Sequence, residues 1–206
     1  HQYIATIYHT LTEPRALVME WIDGSPLDDL IRKEDPLLEV RTVVKIGMNL
    51  AEALKHAHGQ GIFHRDIKPS NIIINTRGEA ILIDFDAARS QLHHTIAASK
   101  FIGTHDYSAP EQYINPETVG PPADLFSLSI VLYEALTKKR PYLYNNPMSS
   151  KGKFDLPQRY KIPQGLYEIL CASLCQEPER RLSATELLVK LQEYYIALGD
   201  ENAVEK

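Results

Sequence analysis

Two short stretches constrain this chain more than anything else in it: His64-Arg65-Asp66-Ile67-Lys68-Pro69-Ser70-Asn71, and the triplet Asp84-Phe85-Asp86 that follows Asn71 by thirteen residues. Asp66, Lys68 and Asn71 fall within six residues, and Pro69 prevents a regular helix between them. One short loop therefore presents a carboxylate, an ammonium and an amide. The apolar run Ile72-Ile73-Ile74 reads as a strand and Ala80-Ile81-Leu82-Ile83 as its partner, a pairing that returns Asp84 to the neighbourhood of Asn71. Asparagine and aspartate oxygens are hard ligands that suit Mg²⁺. Lys68 can neutralise a transferring phosphoryl group, and Asp66 can accept or orient a hydroxyl proton. These are the parts of a phosphoryl-transfer site.

The rest of the chain reads as α+β, mainly α. Short strands are expected over residues 3–8 and 15–21. Gly24-Ser25-Pro26 breaks the chain, and a short helix near Leu27–Arg32 follows. Val43, Ile46, Leu50, Leu54 and Ala57 form a helical stripe within residues 37–58, stopped near Gly59 and Gly61. Residues 84–111 carry little periodicity and read as a loop. Pro121-Pro122 precedes a helix expected over Ala123–Thr137, residues 139–163 carry no clear pattern, and two helices over about 164–176 and 183–198 close the domain. Residues 199–206 form a polar tail.

Composition narrows the function classes. With 206 residues, 44% hydrophobic and 24% charged, the chain can bury a core of its own. A net charge of −5 gives no support for nucleic acid or an anionic membrane as partner. No apolar run is long enough to span a bilayer, and no signal peptide is visible. Cys171 and Cys175, one helical turn apart, read as buried thiols in a reducing compartment. They lack the further ligands a metal site needs. His93-His94 has no nearby cysteine or acid and reads as a solvated loop.

At these motifs the chain resembles the eukaryotic-type serine/threonine protein kinases. The signature H-R-D-x-K-x-x-N is matched in full and D-F-G in two of three letters. Ala109-Pro110-Glu111 resembles the A-P-E that closes the activation segment, and Gly103-Thr104 the loop that receives the substrate hydroxyl. Asp124 resembles the buried anchor that opens the following helix, and Arg181 the arginine that pairs with the A-P-E glutamate. The Lys68 position and Thr104 favour serine/threonine over tyrosine, and Glu111-Gln112 is similar to bacterial members. The resemblance covers nearly the whole chain.

It implies a protein-kinase-like large lobe with short β-hairpins, the small lobe mostly missing. Residues 1–22 correspond to a small-lobe remnant and hinge, 23–198 to the large lobe and 199–206 to the tail. No G-x-G-x-x-G occurs, and the chain opens on His1 rather than Met, so it is expected to be a piece of a longer protein. On its own it is expected to be inactive, since the glycine-rich loop and the small-lobe lysine are lacking. The resemblance further implies ATP and Mg²⁺ as cofactors, a protein Ser or Thr hydroxyl as acceptor, the missing lobe and regulatory domains as partners, and a cytoplasmic location. Asp66 and Lys68 would be catalytic, with Thr104 in the substrate loop. Asn71 and Asp84 would hold the metal. Met19 takes the gatekeeper position, Glu20 and Ile22 would offer backbone groups to adenine, and Ile73 would lie under the ring. His64 would pack in an apolar column with Phe85. Arg65 would dock an activation-loop phosphate, for which Thr95 and Ser99 are the preferred acceptors.

Each residue also has a plainer reading: a capping carboxylate for Asp66 or Asp84, a turn residue for Asn71, a solvated charge for Arg65, a core side chain for Met19. Asp86 stands where the family has glycine, giving up backbone freedom and adding a carboxylate beside Asp84. Leu82-Ile83-Asp84-Phe85-Asp86 is also similar to small-molecule kinases, although Gly103-Thr104 and Ala109-Pro110-Glu111 count against that reading. A pseudokinase that binds without turnover is the second rival. The missing small lobe and Asp86 support it, and the intact Asp66, Lys68, Asn71 and Asp84 oppose it.

Overall fold

A computed structural model of the chain describes residues 1–13, 15–33, 38–85, 89–90, 106–116, 119–141 and 162–204. These residues are mostly helical, with small antiparallel sheets. The helices are α1 (Leu27–Lys33), α2 (Val40–Gly59), α3 (Pro110–Ile114), α4 (Pro121–Thr137), α5 (Gln164–Ser173) and α6 (Ala184–Val204). The strands are β1 (Ile7–Thr12), β2 (Arg15–Met19), β3 (Gly24–Pro26), β4 (Ile62–Phe63), β5 (Ile72–Asn75), β6 (Ala80–Leu82) and β7 (Arg89–Ser90).

The core lies where α2, α4, α5 and α6 meet. The stripe Val43, Ile46, Leu50, Leu54 and Ala57 is buried along α2. Helix α4 is apolar all round and buried on nearly every side, as expected of a helix with no solvent face. Gly47 lets α2 approach its neighbours closely: a Cβ there would stand 2.9 Å from a Leu191 methyl and 3.0 Å from one of Leu132. Pro121 and Pro122 lie inside α4, not ahead of it, because first-turn positions need no N–H.

The hairpin behind the phosphoryl-transfer motif pairs Ile72 with Leu82, Ile73 with Ile81 and Ile74 with Ala80. Its turn is closed by Asn75, whose Oδ1 accepts the amides of Arg77 and Glu79 at 3.0 and 2.9 Å, with Gly78 at φ 73°. Strand β3 adds to the outer edge of β5. Only glycine fits at position 24, where a Cβ would lie 2.2 Å from the Ile74 carbonyl oxygen. Gly24-Ser25-Pro26 is thus an edge strand as well as a break.

Several expectations need correction. The first strand is displaced from 3–8 to Ile7–Thr12, where it pairs with β2. Residues 3–5 lie along β6 instead, with the Leu82 amide donating to the Tyr3 carbonyl at 2.9 Å and the Ala5 amide to the Leu82 carbonyl at 3.0 Å. An open sheet edge outcompeted local alternation for those backbone groups. Met19 is half-buried, not core. The stretch 84–111 contains β7, which pairs with β4, and the start of α3. The first closing helix ends early, at Ser173, and α6 runs on through the expected polar tail to Val204. Cys171 and Cys175 are half-buried free thiols, and burial pushes the Cys171 thiol up. Among the described residues no helix is long and apolar enough to cross a membrane.

Candidate active site

The loop between β4 and β5 carries the site, and its backbone is held from outside. Arg65 sits at φ 67°, a left-handed conformation that a non-glycine residue adopts only when its surroundings impose it. The imposing group is Asp124 in the first turn of α4, 1% exposed. Its Oδ2 accepts the His64 amide at 2.9 Å and its Oδ1 the Arg65 amide at 2.8 Å. His58, in the last turn of α2, places Nε2 2.8 Å from the same Oδ2. Burial pushes the Asp124 carboxyl up, but the bond and charge of His58, the nearby His64 and the Arg65 amide outweigh it. The net direction is below the usual carboxylate range, so Asp124 is an anion and His58 Nε2–H is the donor.

Gln112 clamps the loop from the other side. Its Nε2 donates to the Arg65 carbonyl at 2.9 Å while its Oε1 accepts the Ala109 amide at 2.9 Å. The Arg65 side chain is buried and donates Nη2 to the Val119 carbonyl at 2.8 Å, so it is no solvated charge. The His64 ring meets Phe85 edge-on at 4.6 Å between centroids. Its Nε2 donates to the Ile83 carbonyl at 3.0 Å, and its Nδ1 accepts the Asp66 amide at 3.3 Å.

The loop's polar heads converge as a result. Lys68 Nζ lies 2.6 Å from Asp66 Oδ2. Asn71 donates Nδ2 to the Asp66 carbonyl at 2.9 Å and approaches Asp66 Oδ2 at 3.4 Å. Pro69 opens a single 3₁₀ turn that delivers Asn71. The Ile83 amide donates to the Asn71 carbonyl at 3.0 Å, which brings Asp84, exposed and at φ 64°, beside Asn71. The oxygen donors available are one amide and one carboxylate. That is a hard set, fitted to an ion that keeps waters and phosphate oxygens as its other ligands. Among the described residues no cluster of three or more His, Cys, Asp or Glu could hold a metal by itself.

Met19, Glu20 and Ile22 are half-buried at the end of β2 and just beyond it. The Glu20 amide is spent on the Thr6 carbonyl at 2.8 Å, so what Glu20 can offer a ligand is its carbonyl. Ile73 is half-buried between Pro26 and Ile81. Further out, Arg181 grips Glu111 with two nitrogens. Tyr107 donates to Glu134 at 2.6 Å, and Arg140 pairs with Asp106. Gly103, Thr104, Asp86, Thr95, Ser99 and His93-His94 lie outside the described residues.

Sequence reasoning missed His58 and Gln112. Leu50, Leu54 and His58 follow at intervals of four, which puts an imidazole on the buried stripe of α2, and that was the available signal. Gln112, three residues after Ala109, has capping-box spacing.

A sequence model described as the protein kinase domain matches residues 1–192. The chain is 33% identical over 185 residues to a probable serine/threonine-protein kinase of Clostridium perfringens, covering 84% of this chain and 26% of that protein. It is 32% identical over 174 residues to serine/threonine-protein kinase PknB of Mycobacterium leprae, covering 80% and 28%. Against serine/threonine-protein kinase PknH of Mycobacterium tuberculosis it is 34% identical over 193 residues, covering 89% and 30%. The chain thus spans less than a third of the length of these curated relatives.

Proposed function

The chain belongs to the protein kinase family, and from that premise we propose that it carries the catalytic loop of a serine/threonine kinase, with ATP as phosphoryl donor and a protein hydroxyl as acceptor. The observation that supports this most is the convergence of Asp66, Lys68 and Asn71 on one point of a loop whose backbone is held in a strained conformation. Asp66 Oδ2 accepts the hydroxyl proton or orients the hydroxyl, and Asn71 holds the Asp66 main chain in place. Lys68, now against Asp66, is close enough to stabilise charge on the transferred group. Asn71 and Asp84 supply the oxygens for Mg²⁺, which would shield phosphate charge there. ATP as donor supports a cytoplasmic setting.

The test is incorporation of labelled phosphate into a protein substrate by the intact, two-lobe protein and by its Asp66→Asn variant. The variant should bind nucleotide normally and lose transfer by about 10²- to 10⁴-fold, because an amide keeps the hydrogen bond and cannot take the proton. Near-normal transfer by Asp66→Asn would overturn the assignment. An intact protein that binds ATP and transfers nothing would make this a binding module.

A further inference from the structure

We propose that His58 is a positioning residue for the reaction: its Nε2–H fixes the orientation of the Asp124 carboxylate, and through Asp124 the placement of Asp66. Asp124 is the only link described between the α2–α4 core and the amides of His64 and Arg65. With two donors from adjacent residues of one loop, the carboxylate could swing with that loop about its Cβ–Cγ bond, a torsion with broad minima. The third donor comes from a different element. His58 belongs to the last turn of α2, whose buried face is locked into the core, and its side chain is only 10% exposed. The ring is set by an edge contact with Phe63, centroids 5.9 Å apart at 70°. Imidazole is thereby a fixed reference, and Oδ2 shares it with the His64 amide.

Two consequences bear on the chemistry. Asp124 is a buried anion, and losing one of three donors leaves charge poorly compensated beside the loop. Arg65 keeps its left-handed backbone only while its surroundings hold it there, and the residue after it is Asp66. A loop released by a fraction of an ångström would misplace Asp66 while the Glu20–Ile22 segment, which would meet adenine, stays where it is. His58 should therefore act on the rate of transfer, not on nucleotide affinity.

The kinetic arm rests on the kinase reading above, and the exchange arm does not. In the intact protein, His58→Phe should speed amide exchange at His64 and Arg65 about tenfold or more. It should also lower kcat about tenfold or more while KM for ATP stays within about twofold. His58→Gln, whose amide can place a donor near the Nε2 position, should recover both to within about threefold. His58→Asn, too short to reach Asp124, should behave like the Phe variant and replaces it if that protein does not fold. Exchange and kcat within twofold of wild type in His58→Phe or His58→Asn would overturn the proposal, as would a Gln variant as impaired as the Phe one. If the wild type transfers no phosphate, the kinase reading fails and the exchange rates alone decide the role of His58.

Discussion

Arg181 meets Glu111 across seventy residues of sequence in a two-point fork, Nη1 to Oε1 at 2.6 Å and Nη2 to Oε2 at 2.9 Å. The guanidinium is fully buried. Its remaining donors go to the carbonyls of Cys175 (2.7 Å), Pro122 (3.1 Å) and Gln176 (3.0 Å), so all five N–H groups are used. Its plane also lies 4.8 Å from the centre of the Phe126 ring. One side chain thereby ties α3, α4 and the segment after α5 together.

Arg181→Ala should destabilise the fold by about 3–5 kcal/mol, because it strands a carboxylate and three carbonyls. Arg181→Lys should recover less than half of that, since an ammonium has three donors and no planar fork. Urea titrations of the three proteins check this, and a lysine variant as stable as wild type would refute it.

Gly47 sits where α2 crosses α4 and α6. Gly47→Ala gains helix propensity of about 1 kcal/mol. Its Cβ must however displace Leu191 and Leu132 methyls from 2.9 and 3.0 Å. Those methyls belong to close-packed, buried side chains, so the net should be a loss of about 1–2 kcal/mol. Gly47→Val should cost more. A rise in melting temperature for Gly47→Ala would show that the leucines repack freely.

The depressed Asp124 carboxyl makes part of the stability acid-labile. A lowered folded pKa contributes stability that is whole above the ordinary aspartate value of 3.8 and lost as pH falls from there through the folded value. Asp124→Asn should therefore cost about 2 kcal/mol or more at pH 7, and the gap to wild type should close as pH is taken below 3.8. Unfolding free energies of both proteins against pH give the comparison. A constant gap would mean that the charge contributes nothing.

Glu134 has the opposite sign. Burial pushes its carboxyl above the ordinary 4.5, against the Tyr107 bond and Arg140. A raised folded pKa contributes stability present below 4.5 and lost as pH rises through the folded value, so the ionised group is a net cost at neutral pH. Glu134→Gln keeps an oxygen for the Tyr107 hydroxyl. It should match or exceed wild type at pH 7 by up to about 1 kcal/mol, discounted for partial exposure, and lose that margin near pH 4. Thermal unfolding at the two pH values decides, and a destabilised variant at pH 7 would count against the burial argument.

Asp84→Asn should leave folding intact, because Asp84 is exposed. It should raise the Mg²⁺ concentration needed for half-maximal transfer about tenfold or more, since it removes the only carboxylate of the proposed pair. A Mg²⁺ titration of the rate that overlays wild type would remove Asp84 from the ligand set.

Much of this protein was legible in its sequence because the determinants are local. The isoleucine hairpin, the α2 stripe and the apolar α4 follow from residues that find their partners within one element or one turn. Asp66, Lys68 and Asn71 share six residues and a proline, so their presence on one loop was legible too. Everything that required a partner from far along the chain was decided only on folding. Residues 3–5 left their alternating pattern for the open edge of β6. Arg65, a surface charge by composition, is buried against Val119 because Asp124, fifty-nine residues away, turns its backbone left-handed. His58, on the buried stripe of α2, and Gln112, at capping-box spacing in α3, became loop clamps only because folding set one against Asp124 and the other against the Arg65 carbonyl. Side-chain chemistry and short-range periodicity are written residue by residue. Which buried acceptor meets which donor depends on helices packing in three dimensions, and here that packing sets where Asp66 stands.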